Sequence, residues 1–180
     1  MGFKEKALVM DSTAMERAIT RIAHEILENN RGAENLALVG IRNRGIFFAR
    51  RLAEKIKQIE MVDIPVGSLD ISMYRDDVST FATPKIYKTE IPFDVRDKTI
   101  ILVDDVLFTG RTTRASLDAI MDYGRPAAIQ LAVMIDRGHR EVPIRADYVG
   151  KNIPTARKER VQVNVSEIDN KDSVVIGEEE

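Results

Sequence analysis

The segment Ile100-Ile101-Leu102-Val103-Asp104-Asp105, continuing through Val106-Leu107-Phe108-Thr109-Gly110-Arg111-Thr112, decides the fold. Its first four residues are apolar and mostly β-branched, which is typical of a strand buried on both faces of a parallel sheet. Two adjacent carboxylates are expected at the end of that strand. A short turn follows, and apolar residues from Ala115 to Met121 then recur at helical spacing. The segment therefore predicts a strand, an acidic pair, a turn and a helix start.

The turn at residues 109–112 is expected to bind an anion. Backbone N–H groups at a helix N-terminus carry about half a positive charge and bind phosphate readily. Gly110 allows the backbone to approach a ligand closely, and the neighbouring threonine hydroxyls add donors. The acidic pair fits a ligand that has both a phosphate and hydroxyl groups, or one that brings a cation. A polar turn without a ligand would leave the paired carboxylates unexplained.

The composition limits the classes of protein to which the chain can belong. Its 180 residues, 44% of them hydrophobic, fit one globular domain, and the formal charge of −2 gives no global basic field. The absence of cysteine and the presence of only two histidines argue against a thiolate or zinc site. No apolar run approaches the roughly 18 residues of a membrane span. We therefore expect a cytoplasmic protein without a membrane partner, in which nucleic acid would bind only to a local basic patch.

Strands and helices alternate along the chain. The first helix is expected to follow the capping cluster at residues 11–13, with Glu16 completing a capping box, and to end near residue 30. Further helices are expected at 46–58 and 112–123, and the acidic tail is expected to be solvated. Strands are expected at 7–10, 36–40, 65–73, 100–103, 127–135 and 161–165. This order predicts an α/β fold with a central, mostly parallel sheet flanked by helices, whose ligands bind beyond the carboxyl ends of the strands.

Two other segments are candidates for the same cleft. Gly40 and Gly45 bracket a turn that contains Arg42 and Arg44, and arginine forks suit pyrophosphate oxygens. An exposed basic turn is the alternative. Residues 74–95 lack a clear periodicity and contain two prolines, which favours either a lid that excludes water or an idle surface hairpin.

The hydrophobic run, the acidic pair and the turn at 109–112 resemble the phosphoribosyl-pyrophosphate signature of the type I phosphoribosyltransferases. The resemblance implies one domain over residues 1–180, with a small hood at about 136–160 and a flexible lid at about 74–95. It also implies that Mg²⁺ enters with phosphoribosyl pyrophosphate, near the acidic pair and without a direct protein site. The implied catalytic residues are Asp104 and Asp105. The implied phosphate-binding residues are Val106, Leu107, Phe108, Thr109, Gly110, Arg111 and Thr112. The implied pyrophosphate loop is Ile41, Arg42, Asn43 and Arg44, and the implied lid residues are Tyr74, Arg75, Asp76 and Asp77.

The base is expected to lie near the segment 147–154, which resembles the hood of hypoxanthine-guanine phosphoribosyltransferases. This chain departs from those enzymes at two positions. It has Asp136 where they have a lysine that reads the purine, and Phe108 where they have an aspartate general base. Uracil needs less help, because it is smaller and has an acidic ring N–H. The expected base-binding residues are Asp136, Arg137, Tyr148 and Val149, with Tyr148 serving either as a platform for the ring or as a core aromatic.

Over nearly its whole length the chain resembles the family of bifunctional pyrimidine-operon attenuators and uracil phosphoribosyltransferases. The supporting stretches are residues 20–25, 69–77, 103–107, 136–141 and 144–155. The resemblance implies synthesis of UMP from uracil and phosphoribosyl pyrophosphate. It also implies binding of the operon's leader mRNA, under control of UMP or UTP, to promote transcription termination. A purine phosphoribosyltransferase without an RNA role, and an RNA-binding regulator with vestigial catalysis, are the alternatives.

RNA would need positive side chains for its phosphates and polar groups for its loop bases. One helix face and one later basic segment offer such groups, although a solvated polar face is the alternative. The candidate RNA-binding residues are Thr20, Arg21, His24, Arg140, Arg145 and Lys151. Because the protein is nearly neutral, such a patch must be concentrated. We therefore expect basic faces to pair in a homodimer or a higher homo-oligomer.

Overall fold

The computed structural model describes residues 2–74, residue 76 and residues 88–179. The strands in these ranges are β1 (Phe3–Met10), β2 (Leu36–Ile41), β3 (Val66–Leu69), β4 (Thr99–Leu107), β5 (Ala128–Asp136), β6 (Tyr148–Asn152), β7 (Arg160–Asn164) and β8 (Ser173–Glu179). The helices are α1 (Ser12–Asn29), α2 (Gly45–Glu60), α3 (Arg111–Met121) and the short α4 (Ser166–Asp169). Within the described part of the chain, no helix is both long and apolar enough to cross a membrane.

The main sheet has five parallel strands in the order β3-β2-β4-β5-β6. Alternate residues of β4 point to opposite faces. Ile101 and Val103 pack with α1 and α2, whereas Ile100 and Leu102 pack with α3. All four side chains are at most 2% exposed, as expected for a strand covered by helices on both faces. The predicted α/β fold with a helix-flanked sheet is confirmed.

A second, smaller sheet was not predicted from the sequence. It is antiparallel, with the order β1-β8-β7. Its strand β8 lies between the other two strands, with Val174 and Val175 buried. The acidic end of the chain, which was predicted to be solvated, is partly exposed at Glu178 and exposed at Glu179. Glu178 also forms an ion pair with Lys6 on β1. Val174 and Val163 belong to the same apolar cluster as α1 and α2, so the two sheets share one core.

The predicted hood range of 136–160 does not coincide with this small sheet. Strand β6 falls in that range but pairs with β5 in the main sheet. Residues 160–179 and 3–10 supply the strands of the small sheet. Strand β6 was not predicted from the sequence, because a five-residue edge strand that contains Gly150 and Lys151 has little apolar periodicity.

Several predicted boundaries shift for local reasons. Helix α1 is capped by the Asp11 side chain, which accepts the N–H of Ala14 at 2.8 Å, rather than by a box that ends at Glu16. Strand β3 ends at Leu69, because the Asp70 carboxylate accepts the N–H of Ser72 at 2.9 Å and turns the chain. Strand β4 continues to Leu107, so the acidic pair lies inside the strand rather than after it.

Candidate active site

Asp104 and Asp105 lie near the carboxyl end of β4, where a cleft opens. Asp104 is 8% exposed, and its Oδ1 accepts the N–H of Asp105 at 2.9 Å. The Oδ1 of Asp105 accepts the N–H of Val106 at the same distance. Asp105 lines a cavity of about 370 Å³ together with Arg44, Phe3 of β1 and four consecutive β7 residues, 160–163. The structure thus places one of the predicted carboxylates in the same cavity as an arginine of the predicted pyrophosphate loop.

Two glycines bring the pyrophosphate loop close to the acidic pair. A Cβ on Gly45 would lie 2.3 Å from the carbonyl oxygen of Val103 and 3.2 Å from the Cα of Asp104. A Cβ on Gly40 would lie 2.3 Å from the Cα of Ile46. A larger residue at Gly45 would push the start of α2 away from β4, and a larger residue at Gly40 would push it away from β2. These close backbone contacts at Gly40 and Gly45 bring the loop after β2 near the end of β4, as the sequence predicted.

The phosphate loop at 107–112 is held from behind by the segment after β5. The Arg137 N–H donates to the carbonyl oxygen of Leu107 at 3.1 Å, and the Glu141 N–H donates to that of Thr109 at 2.9 Å. Between them, the Arg140 guanidinium donates to the carbonyl oxygen of Phe108 at 2.7 Å. Three consecutive carbonyl groups are thus satisfied within the protein. Because a phosphate needs hydrogen-bond donors, the candidate groups for binding it in this loop are the backbone N–H groups.

Helix α3 begins with an anion-binding geometry. Its N-cap residue is Gly110, with φ of 90° and no side-chain cap. The hydroxyl of Thr109 accepts the N–H of Arg111 at 3.3 Å. The Arg111 side chain does not point to an open cradle, because its guanidinium binds Glu141 and Asp76 at 2.8 Å each. The predicted phosphate site therefore consists of backbone amides and threonine hydroxyls, with Arg111 held by two carboxylates.

The two arginines of the pyrophosphate loop have different partners. The Arg42–Asn43 peptide bond is cis, and the Arg42 guanidinium donates to Ser68 Oγ at 3.1 Å. The Nη2 of Arg44 lies 3.0 Å and 3.2 Å from the two carboxylate oxygens of Asp169. The sequence did not indicate Asp169, because that residue lies far along the chain on α4.

The expected base region is built around Phe108. The Arg137 guanidinium lies 4.0 Å from the centre of the Phe108 ring, and the His139 ring meets its edge at 5.8 Å. Arg137 is 6% exposed, and this burial lowers its pKa. Arg137 donates to the Thr155 hydroxyl at 3.2 Å. The Nε2 of His139 lies 2.7 Å from the Thr155 carbonyl oxygen, so this nitrogen carries a proton.

Asp136 lies beside this cluster, but both of its carboxylate oxygens are engaged. One accepts the N–H of Gly138 at 3.0 Å and the other pairs with Arg140. Asp136 and Arg137 line a second cavity, of about 410 Å³, together with Ile153 and Pro154. Sequence reasoning missed His139 and Thr155 as parts of this region, since neither residue type signals such a contact by itself.

Tyr148 does not lie in this cleft, which corrects its predicted role as a platform for the base. Its ring is 4% exposed and packs in the core under α1. Its hydroxyl bonds with Asn29 at 2.9 Å and with Gln130 at 2.7 Å. Strand β6 pairs Tyr148 with Ala132, which is four residues before the carboxyl end of β5. Val149 follows it within β6 and packs against the apolar cluster of α3. The core alternative is therefore the correct one for Tyr148.

The candidate RNA-binding residues divide into two groups. The Arg21 guanidinium donates to the carbonyl oxygens of Val149 at 3.2 Å and Gly150 at 2.6 Å, which brings the exposed face of α1 beside Lys151. His24 lies exposed on the same helix, while the hydroxyl of Thr20 bonds to the carbonyl oxygen of Glu16. Arg140 instead lies behind the phosphate loop, and Arg145 is exposed on the loop before β6.

Of the predicted lid, Arg75 and Asp77 lie outside the described residues. Asp76 forms the ion pair with Arg111 given above, and the Tyr74 hydroxyl bonds with Asp122. That hydrogen bond to Asp122 raises the pKa of Tyr74. The first residues of the predicted lid are thus tied to both ends of α3.

Comparison with known proteins identifies the family. The profile of the phosphoribosyl transferase domain matches residues 9–168. A relative called Bifunctional protein PyrR, from Pelotomaculum thermopropionicum, is 60% identical over 174 residues and covers 96% of each chain. A protein of the same name from Clostridioides difficile is 59% identical over 175 residues, which is 97% of this chain and 99% of its own. The chain belongs to the PyrR family of phosphoribosyltransferases.

Membership in the PyrR family confirms the function predicted from the sequence. The protein is a uracil phosphoribosyltransferase, and thus a glycosyltransferase, that also regulates the pyrimidine operon. A PyrR protein from Listeria monocytogenes serotype 4b, 55% identical over 177 residues and covering 96% of this chain and 97% of its own, agrees with this assignment.

Solved structures of purine enzymes share the fold of this PyrR family member. The hypoxanthine-guanine phosphoribosyltransferase of Bacillus anthracis matches 97% of this chain and 99% of its own, with a TM-score of 0.71 and 21% identity. The hypoxanthine phosphoribosyltransferase of Trypanosoma cruzi matches 98% and 93%, with a TM-score of 0.75 and 18% identity. At such low identity the likeness shows the fold alone.

Proposed function

We propose that the cleft at the carboxyl ends of β2, β4 and β5 carries out the transfer of the phosphoribosyl group from phosphoribosyl pyrophosphate to uracil. The observation that supports this is the phosphate loop, in which three carbonyl groups bond to the segment after β5 and the N-cap residue of α3, Gly110, provides no side-chain cap. In this proposal the backbone and hydroxyls of residues 109–112 bind the terminal phosphate of the ribose. The donor is then fixed at one end by a preorganised site.

Asp104 and Asp105 are the proposed catalytic residues. Carboxylates accept hydrogen bonds from sugar hydroxyls, and a negative charge near the anomeric carbon stabilises the positive charge that develops there. Each aspartate is oriented by the N–H of the residue that follows it. Asp105, on the wall of the 370 Å³ cavity, is the better placed of the two to meet the donor.

The leaving pyrophosphate is assigned to Arg42 and Arg44. Guanidinium groups bind phosphate oxygens through paired hydrogen bonds, and both residues belong to the loop that ends at Gly45, where the backbone packs against β4. Within the described residues, no group of three or more histidines, aspartates or glutamates forms a metal cage. A Mg²⁺ that arrives with the donor keeps several waters and needs only one or two carboxylates besides substrate phosphates. When bound, it would neutralise charge on the leaving group, and Asp104 and Asp105 are the residues that would hold it.

Uracil is assigned to the region around Arg137 rather than to Tyr148. The buried guanidinium stacks on Phe108 and is fixed by Thr155, so it offers a rigid donor for a carbonyl oxygen. Uracil presents two such oxygens. A site with fixed polar groups discriminates strongly among ligands, since a wrong base leaves those groups unpaired.

For the regulatory function, we propose that the surface formed by Thr20, Arg21, His24 and Lys151 binds the leader mRNA. The bonds from Arg21 to β6 support this proposal, because they join two distant segments into one face. Arg145, which is exposed on the loop before β6, would extend that face, whereas Arg140 is held behind the phosphate loop and is left out of this surface. We further propose that the protein acts in the cytoplasm as a homo-oligomer, in which basic faces of two copies lie side by side, and that UMP or UTP adjusts RNA binding.

We also propose that residues 1–180 form a single phosphoribosyltransferase domain in which the small sheet β1-β8-β7 is the hood. Its strand β7 lines the same cavity as Asp105, and its apolar residues extend the core of α1 and α2. Of the predicted lid at about 74–95, residue 75 and residues 77–87 lie outside the described residues.

The decisive experiment replaces Asp105 with asparagine, which keeps the size of the side chain and removes its charge. Uracil-dependent release of pyrophosphate should fall by about a hundredfold or more, while the midpoint of thermal unfolding stays close to that of the natural protein. Asp118→Asn, a change on the exposed face of α3 where the residue pairs with Arg114, is the control and should retain full turnover. Normal turnover in Asp105→Asn would refute the proposed role of the acidic pair.

A further inference from the structure

Two arginines tie α2 to the segment that contains α4. Arg44 and Arg51 are seven residues apart on the chain and therefore lie on one side of the helix, two turns apart. Arg44 pairs with Asp169, and Arg51 pairs with Asp172 and Glu167. The first pair adjoins the catalytic cavity, whereas the second lies in a surface groove between α2 and α4.

The two acceptor aspartates have closely matched surroundings. Each side chain is 21% exposed. The Oδ2 of Asp169 accepts the N–H of Val165 at 2.8 Å, and the Oδ1 of Asp172 accepts the N–H of Ser166 at the same distance. Both aspartates thus fix the start of α4 and hold one guanidinium of α2. The difference between them is that Asp169 holds Arg44, which lines the cavity beside Asp105, whereas Asp172 holds Arg51, which does not.

The hydrogen bonds of Arg44 leave part of its guanidinium for a ligand. Asp169 binds Nη2 through both of its oxygens. The Nε of Arg44 is buried and has no hydrogen-bond acceptor among the described residues. A buried N–H without an acceptor is costly. The Arg44 side chain as a whole is 30% exposed and lines the cavity beside Asp105, so a phosphate oxygen in that cavity can approach it.

We propose that Asp169 is a positioning residue for the transfer reaction, which holds the guanidinium of Arg44 in place to receive the leaving pyrophosphate. Arginine has many rotamers, and fixing it before the ligand arrives removes an entropic cost from binding. Because Asp169 lies beside β7 and β8, its bond also links the position of the small sheet to the occupancy of the pyrophosphate loop. This inference rests on the proposed assignment of Arg44 to pyrophosphate.

The test compares Asp169→Asn with Asp172→Asn. Both variants keep a side-chain oxygen for the backbone N–H at α4, and both lose the charge that faces an arginine. We expect a similar small drop in the midpoint of thermal unfolding for both. Only Asp169→Asn should raise the KM for phosphoribosyl pyrophosphate and the inhibition constant of added pyrophosphate, each by about tenfold. The KM for uracil should stay within about twofold in both.

Two additional variants separate the possible failures. Arg44→Gln should raise the same two constants at least as much as Asp169→Asn, and Asp169→Glu, which keeps the charge, should restore part of the loss. If Arg44→Gln raises the constants but Asp169→Asn does not, or if Asp172→Asn matches Asp169→Asn, the positioning role is refuted and the function of Arg44 stands. If Arg44→Gln leaves the constants unchanged, the assignment of Arg44 to pyrophosphate is refuted together with this inference.

Discussion

At the scale of single residues, the site depends on backbone positions that side chains cannot occupy. Gly110 shows this most clearly, because it has φ of 90° and a Cβ there would lie 2.8 Å from Val142 Cγ2. Gly138 also has a positive φ, of 78°, but a Cβ there would meet nothing within 4 Å. Substitutions at these two positions can therefore separate the free-energy cost of backbone strain, which both would have, from the cost of steric overlap, which only Gly110 would have.

We predict that Gly110→Ala is more damaging than Gly138→Ala. The second change imposes only the left-handed backbone penalty, about 1 kcal/mol, whereas the first adds overpacking against the loop after β5, for a total of about 2–3 kcal/mol. Equilibrium unfolding in urea measures both values. Gly110→Ala should also raise the KM for phosphoribosyl pyrophosphate, because its backbone N–H groups move. Equal unfolding free energies of the two variants would show that the loop after β5 can move to accommodate the added methyl group at no measurable cost.

Tyr148 gives a second test at this scale. Removing its hydroxyl in Tyr148→Phe breaks the bonds with Asn29 and Gln130, which should cost about 1 kcal/mol of unfolding free energy. The KM for uracil should not change, because the ring lies in the core rather than beside the base. Steady-state kinetics with uracil as the varied substrate checks this expectation. A tenfold increase in the KM for uracil would contradict the core assignment and would indicate that Tyr148 contacts the base.

At the scale of elements, the link between α2 and α4 is predicted to be sensitive to acid. Burial raises the pKa of Asp172 and of Glu167, but hydrogen bonds from Arg51 outweigh it, so both pKa values lie below their ordinary 3.8 and 4.5. Carboxyl groups with a lowered pKa contribute stability that is fully present above the ordinary value. That contribution is lost as the pH falls through the lowered pKa.

Unfolding free energy should therefore decrease as the pH falls from about 5 towards 3, and part of this decrease should depend on Arg51. In Arg51→Gln the two carboxyl groups lose the partner that holds their pKa values down. The variant should be less stable at pH 7 and should show a flatter dependence between pH 5 and 3. Urea titrations at several pH values measure this difference. A slope identical to that of the natural protein would mean that Arg51 does not set the pKa of either group.

At the scale of the whole molecule, what the sequence predicted was mostly local. The acidic pair, the glycine turn and the start of α3 are consecutive in the chain, so their types and spacing already indicate a phosphate site. The partners that hold this site in place come from elsewhere: the segment 137–141, Thr155 and Asp169 meet it only through the fold. The small sheet was missed for the same reason, because β1 and β8 pair across almost the entire chain. No periodicity within either strand specifies that partner.

The placement of charge over the whole molecule also limits where RNA can bind. The protein has a formal charge of −2, and a groove of about 550 Å³ lined by Glu25, Glu28 and Asp147 lies beside the basic face. Phosphates should be repelled there and attracted to Arg21 and Lys151. The leader mRNA is therefore expected to follow the basic face and to turn away from this acidic groove.

Lys151→Ala should then weaken binding of leader RNA at every salt concentration, and the slope of log K against log salt should become shallower by about one unit, because one phosphate contact is lost. Synthesis of UMP should remain normal, since Lys151 lies on the edge strand β6, away from Asp104 and Asp105. Lys57→Ala is the matched control, because Lys57 is also exposed but pairs with Asp63 after α2. Glu28→Gln should act in the opposite direction and strengthen binding. If Lys151→Ala and Lys57→Ala bind RNA equally well in a gel-shift titration, the RNA does not use this face.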